Sequence, residues 1–196
     1  MNNLYNFFNY KKVQNIISKF IISILIVILS ASSCYGARDS NSYDGNIFPI
    51  YAGNGSIVPP SISLRESLSQ NRVSLLFFYL DDSSDSKYMA PIISAIDLLW
   101  EDKLEILAYT IDDLIDVETE DKKEPSFYWN GLIPQTVLID KEGQIIFDQN
   151  GQVNIDELNK YISLSTGFPE PDYNFTIESY NEFNSELSNE DYNRSR

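Results

Sequence analysis

Arg72 to Leu80 reads Arg-Val-Ser-Leu-Leu-Phe-Phe-Tyr-Leu, a nearly unbroken apolar run of strand length. A surface strand alternates polar with apolar residues. A short continuous run suits a strand covered on both faces. Such a strand lies inside a sheet with a layer on either side, so this segment alone asks for an α/β architecture. Its surroundings agree. Met89, Ile92, Ile93, Ile96, Leu99 and Trp100 recur at helical spacing, with Pro91 inside the predicted helix as an expected kink. Leu104 to Thr110 predicts a second strand. Thr136–Ile139 and Gln144–Phe147 predict two more around a Lys141-Glu142-Gly143 hairpin turn. Ile155, Leu158, Tyr161, Ile162 and Leu164 outline a closing helix. Ser63 and Glu66 form a capping box that starts a helix carrying Leu64 and Leu68. The expected fold is a βαβ unit with a right-handed crossover, then a β-hairpin and a closing helix.

The flanks differ from this core. Residues 16–31 are rich in Ile and Leu, and Phe20 to Leu29 carries no charge. Lys11, Lys12 and Lys19 precede the run, and Ala31-Ser32-Ser33 before Cys34 is an acceptable cleavage site. Residues 1–34 therefore read as a signal peptide or a membrane anchor helix, both alternatives standing. The lysines keep the N-terminus on the side of synthesis and place the rest across the membrane. Residues 35–62, rich in Gly, Pro, Asn and Ser, read as a linker. Residues 63–166 read as the folded domain. Residues 167–196, acidic and poor in aliphatics, read as a mobile tail.

Composition excludes much chemistry. The chain has no histidine and one cysteine, Cys34. Ser-His-Asp and Cys-His nucleophile systems, zinc sites built on Cys or His, and an intrachain disulfide are all impossible within it. The net charge is −15, and residues 1–38 carry four cations and no acid, so the remainder carries −19. A body of that charge repels phosphate backbones, which argues against a nucleic-acid partner. Asp81, Asp82 and Asp85 read as an exposed acidic helix start. Asp112, Asp113, Asp116, Glu118, Glu120, Asp121 and Glu124 read as a solvated loop, or as a docking face for a basic partner. No cofactor is expected.

The order of elements and three local motifs resemble the thioredoxin-like superfamily. Phe78-Tyr79-Leu80-Asp81-Asp82-Ser83-Ser84-Asp85-Ser86-Lys87 resembles the strand and turn that carry Cys-x-x-Cys-Lys, with Ser83 and Ser86 at the thiol positions. Ala90-Pro91 resembles the internal proline of the following helix. Leu132-Ile133-Pro134-Gln135-Thr136 resembles the Ile-Pro-Thr loop, which implies a cis Pro134 facing the degenerate site. Phe77 stands where that family has a buried acid. A serine hydroxyl forms no disulfide and is not appreciably ionised at neutral pH, so no catalytic residue is assigned. Tyr128, Trp129 and Leu132 precede Pro134 and are candidate protein-binding residues at the rim of a groove.

A longer similarity runs from about Asn46 to the closing helix. It is carried by Phe48–Pro60, Ser63–Leu68, Phe78–Ser83 and Tyr128–Thr136. These segments resemble the thylakoid membrane photosystem I accumulation factors of cyanobacteria and algal plastids. The resemblance implies a plastid or cyanobacterial thylakoid protein, non-catalytic given Ser83 and Ser86, and the lysines before the apolar run would put its domain on the lumenal side. Its partners would be photosystem I subunits or assembly proteins, and its role accumulation of that complex. The alternatives are a thiol-disulfide enzyme using Cys34, or a cation-binding or structural thylakoid protein.

Overall fold

The computed structural model describes residues 17–24, 38–114 and 119–173. The chain divides into two compact units, residues 1–35 and 36–196. In the first, residues 17–24 are helical (α1) and expose Ile17, Phe20, Ile21, Ile22 and Ile24. Among the described residues no helix is long and apolar enough to cross a membrane. The expected anchor helix is therefore not supported by the part that is described. The remainder of the predicted signal or anchor, including Cys34, lies outside the described residues.

The second unit is built on β1 (Ser74–Tyr79), every residue of which is buried. The sheet order is β2-β1-β3-β4, with β2 at Glu105–Thr110, β3 at Gln135–Ile139 and β4 at Ile145–Asn150. β1 runs parallel to β2 and antiparallel to β3, and β3 runs antiparallel to β4. β1 is thus an interior strand, as its unbroken apolar run requires. Alternate residues of β1 point to opposite faces. Leu75, Phe77 and Tyr79 join one hydrophobic cluster with Met89, Ile93 and Ile96 of α4 (Ser84–Trp100) and Leu158 and Ile162 of α5 (Ile155–Thr166). Leu76 and Phe78 join a second cluster on the other face, with Leu64 of α3 (Leu64–Ser69) and Tyr128.

Local chemistry sets the helix ends. The capping box of α3 is formed: the Glu66 amide donates to Ser63 Oγ, and the Ser63 amide donates to Glu66 Oε2, both at 3.2 Å. Such a cap contributes about 1 kcal/mol. Asn154 caps α5, accepting from the amides of Asp156 and Glu157. Gly167 closes α5 in the left-handed region at φ +78°, which glycine adopts without the Cβ clash.

Three expectations need correction. Residues 35–62 do more than link. Within them α2 (Ile47–Tyr51) packs on α4, and Ile47 and Phe48 are fully buried in the first cluster, with Ile57 beside them. Phe48 meets the rings of Phe77 and Tyr79 edge-on at 6.1 and 5.6 Å. Each such burial contributes about 1.5–3 kcal/mol, so residues 47–57 belong to the domain. The segment hid because its glycines and prolines surround only five helical residues. Leu164 is 80% exposed and lies off the packed face of α5. Finally, the chain does not leave the domain at 167. Tyr173 packs against the first cluster and its hydroxyl donates to the Asp156 carboxylate. Residues 174–196 lie outside the described residues.

Candidate functional site

The residues singled out from sequence gather at the C-terminal end of β1. Ser83 follows four residues after that strand and caps α4, accepting from the Ser86 amide at 3.3 Å. Ser86 is fully buried, and its Oγ accepts from the Leu80 amide at 3.3 Å. Both hydroxyls therefore hold the turn between β1 and α4. Pro134 lies at the same end of the sheet. Gln135 pairs with Phe78 on one side and Asn150 on the other, and the peptide preceding Pro134 is cis. Phe77 is fully buried among aromatic rings, stacked on Tyr79 at 5.6 Å.

The three rim candidates separate. Tyr128 is 3% exposed and sits in the second cluster. Its hydroxyl lies 3.0 Å from the Lys122 carbonyl and 2.9 Å from that of Gly143. Burial pushes its phenol up to about 12. It is a core residue, not a rim residue, because its hydroxyl has internal partners. Trp129 is half-buried against the same cluster, and its Nε1 donates to the Leu132 carbonyl at 3.4 Å. Leu132 is 61% exposed.

Gln135 builds this loop, and no sequence signal pointed to it. It is fully buried. Its Nε2 donates to the Tyr128 carbonyl at 3.0 Å and to Asp148 Oδ1 at 2.8 Å, while its Oε1 accepts from the Asn130 amide at 2.9 Å. Asn130 Oδ1 in turn accepts from the Leu132 amide, and its Nδ2 donates to Asn150 Oδ1. A satisfied network of this kind fixes a loop's shape and leaves the exposed Leu132 preorganised.

A second group was also missed. Lys87, next to Ser86, is fully buried. Its ammonium donates to the Ser40 carbonyl at 3.0 Å, the Ser42 carbonyl at 2.6 Å and Asp44 Oδ2 at 2.7 Å. Three protons thus meet three oxygens. Tyr51 donates its hydroxyl to the same Asp44 oxygen at 2.8 Å. The hydrogen bond from Lys87, followed by that from Tyr51, holds the Asp44 carboxyl below its ordinary value. For Lys87 burial is the largest single influence and favours the neutral amine, but the hydrogen bond to Asp44 and the further interactions with Tyr51 and Asp44 together outweigh it, and the group stays above its ordinary value. The lysine is visible in the sequence; its partners lie more than forty positions away, so no spacing reveals them.

The acidic segments are only partly solvated. Asp81 is half-buried and accepts from the Ile47 amide at 3.0 Å, and burial raises its carboxyl. Arg65 of α3 bridges Asp121 at 2.9 Å and Glu124 at 2.6 Å, tying the acidic loop to the domain. Residues 115–118 of that loop lie outside the described residues.

A parallel β1-α4-β2 unit, an antiparallel β3-β4 hairpin, helices α4 and α5 on one face, and a cis-proline opening β3 make up a thioredoxin-like fold. Ser83 and Ser86 hold the turn from β1 into α4. No protein-family model matches the chain. A mutant thioredoxin from Halobacterium salinarum NRC-1 aligns at TM-score 0.41 and 20% identity, over 53% of this chain and 82% of its own. The thylakoid membrane protein slr1796 of Synechocystis sp. is 39% identical over 153 residues, 77% of this chain and 76% of the relative. The chain belongs to the family of that thylakoid membrane protein.

Proposed function

We propose that this chain is a non-catalytic thioredoxin-like protein of the thylakoid membrane that aids photosystem I accumulation by binding protein. The observation that carries the reading is the use of the two serines. At the positions where disulfide exchange needs a thiolate, both hydroxyls accept backbone hydrogen bonds and Ser86 is sealed from solvent. What the same end offers instead is a rigid loop with Trp129 half-exposed and Leu132 projecting. Aromatic and aliphatic side chains on a preorganised loop are common anchors for a partner. The membrane setting is supported by the Synechocystis relative, a thylakoid membrane protein, and the photosystem I role by the motif resemblance. The lumenal placement of the domain rests on the lysines before the apolar N-terminal run.

Two measurements test this. Purified protein with Cys34 intact should show no turnover in an insulin-reduction assay; turnover that Cys34→Ser abolishes would return the protein to the oxidoreductases. Tagged protein from solubilised thylakoid membranes should co-purify photosystem I subunits or assembly proteins, and Trp129→Ala should reduce the yield. Equal recovery of partners by the folded variant would remove this loop from the interface.

A further inference from the structure

The segment before α2 has no regular structure and almost no apolar contact, yet it makes a dense set of polar contacts with one place. Asn41 Oδ1 accepts from the Ser84 amide at 2.9 Å, in the first turn of α4. Ser40, Ser42 and Asp44 take all three protons of Lys87. Arg38 stacks on Tyr88 at 4.4 Å, and the Tyr88 hydroxyl donates to Asp39. Residues 41–44 are themselves exposed, while Ser86 and Lys87 beneath are fully buried. The segment thus lies as an irregular strap over the start of α4, with turns at 38–39 and bends at Ser40 and Gly45, presenting two carbonyls and a carboxylate to a buried ammonium. Hydrophobic anchoring begins only at Ile47.

We propose that residues 39–46 are a releasable, self-binding strap latched through Lys87. The surface beneath it would then take a competing acidic peptide that offers the same carbonyl-and-carboxylate set. The chemistry favours such an occupant over others. A buried ammonium deprived of oxygen acceptors is costly, so whatever displaces the strap must supply them. A polar strap held without apolar burial belongs to the low-stability end of a structure, where local opening precedes global unfolding. This inference deepens the protein-binding reading above, since it names a second part of the same end of the molecule and the kind of segment it accepts.

Hydrogen exchange of the full chain tests the release directly. The Ser84 amide should exchange roughly tenfold or more faster than the β1 amides, through an opening that leaves the sheet intact. Asp44→Asn should accelerate that exchange further while leaving the sheet amides protected. Exchange of the Ser84 amide only at the rate of the sheet amides would overturn the proposal. The occupant is tested with a fluorescent peptide of the strap sequence, residues 38–46, added to the full chain carrying Asn41→Ala and Asp44→Ala. These changes weaken the strap and leave its seat untouched. The peptide should bind this variant at least about tenfold tighter than the unchanged protein, a difference near 1.4 kcal/mol. Adding Lys87→Met should abolish that gain. Equal binding to both proteins, or binding that survives Lys87→Met, would reject the competing-peptide seat. Circular dichroism of each variant confirms that it is folded. None of these readouts involves a thylakoid partner, so failure here leaves the Trp129 loop standing, and loss of co-purification leaves the strap standing.

Discussion

The start of α4 and the loop before β3 flank the same end of β1, and they are built in opposite ways. At the start of α4 the surface groups are polar and turned inward. Ser83, Ser86 and the Ser84 amide are bonded locally or to Asn41, and Lys87 is saturated by three oxygens. In the loop the polar groups are also turned inward, through Gln135 and Asn130, but the apolar Leu132 is left outside. The difference teaches where recognition can occur. A polar surface already matched by its own chain gives a partner little until that chain moves. An exposed apolar side chain on a fixed loop needs no such rearrangement.

Tyr128 and Trp129 sharpen this comparison most, because they are neighbours on opposite sides of it. Tyr128→Ala should lower stability by about 3–5 kcal/mol, the range for truncating a buried aromatic side chain. Urea denaturation would show this as a large fall in midpoint. Trp129→Ala should cost about 1–2 kcal/mol of stability and weaken partner binding by about 2 kcal/mol. If both variants lose the same stability, the loop has no distinct outer side.

The next effect tests the latch through pH. Asp44 is held below its ordinary value by Lys87 and then Tyr51. Its contribution is complete above the unfolded carboxyl value of about 3.9 and is lost as pH falls through the lower folded value. Lys87 is held above its ordinary value, so its contribution is complete below about 10.4 and is lost as pH rises through the folded value. Asp97 behaves in the reverse sense. Burial raises its carboxyl although Asn54 donates to it at 3.1 Å, so protonation on acidification favours the folded state. Urea midpoints measured across the acid range should fall less steeply for Asp44→Asn than for the unchanged protein, and more steeply for Asp97→Asn. Parallel curves for all three would dismiss the latch as an electrostatic element.

The smallest effect is expected at Leu164, which is exposed although the helical pattern assigns it to the packed face. Leu164→Lys should shift stability by no more than about 0.5 kcal/mol. A fall comparable with Tyr128→Ala would mean that α5 packs through a different face.

The sequence by itself determined the parts that depend on neighbours along the chain. The apolar run at 72–80 could only be an interior strand. Ser63 and Glu66 form their capping box across three residues, and Lys141-Glu142-Gly143 turns a hairpin locally. Ser83 caps α4 within its own first turn. Leu164 shows where such reasoning fails: helical spacing tells that a position can face inward, while packing against β4 and α4 decides which ones do. The site was legible in the same uneven way. The serines, the cis-proline loop and Trp129 could be picked out as motifs. That Tyr128 belongs to the core depends on the carbonyls of Lys122 and Gly143 reaching its hydroxyl. That residues 47–57 belong to the domain depends on Phe48 meeting Phe77 and Tyr79 across the first cluster. The Lys87 latch depends on Asp44, forty-three residues away. Hydrogen bonds, ion pairs and ring contacts act over a few ångströms of space and leave no periodic trace along the chain, so only the tertiary structure could decide these three.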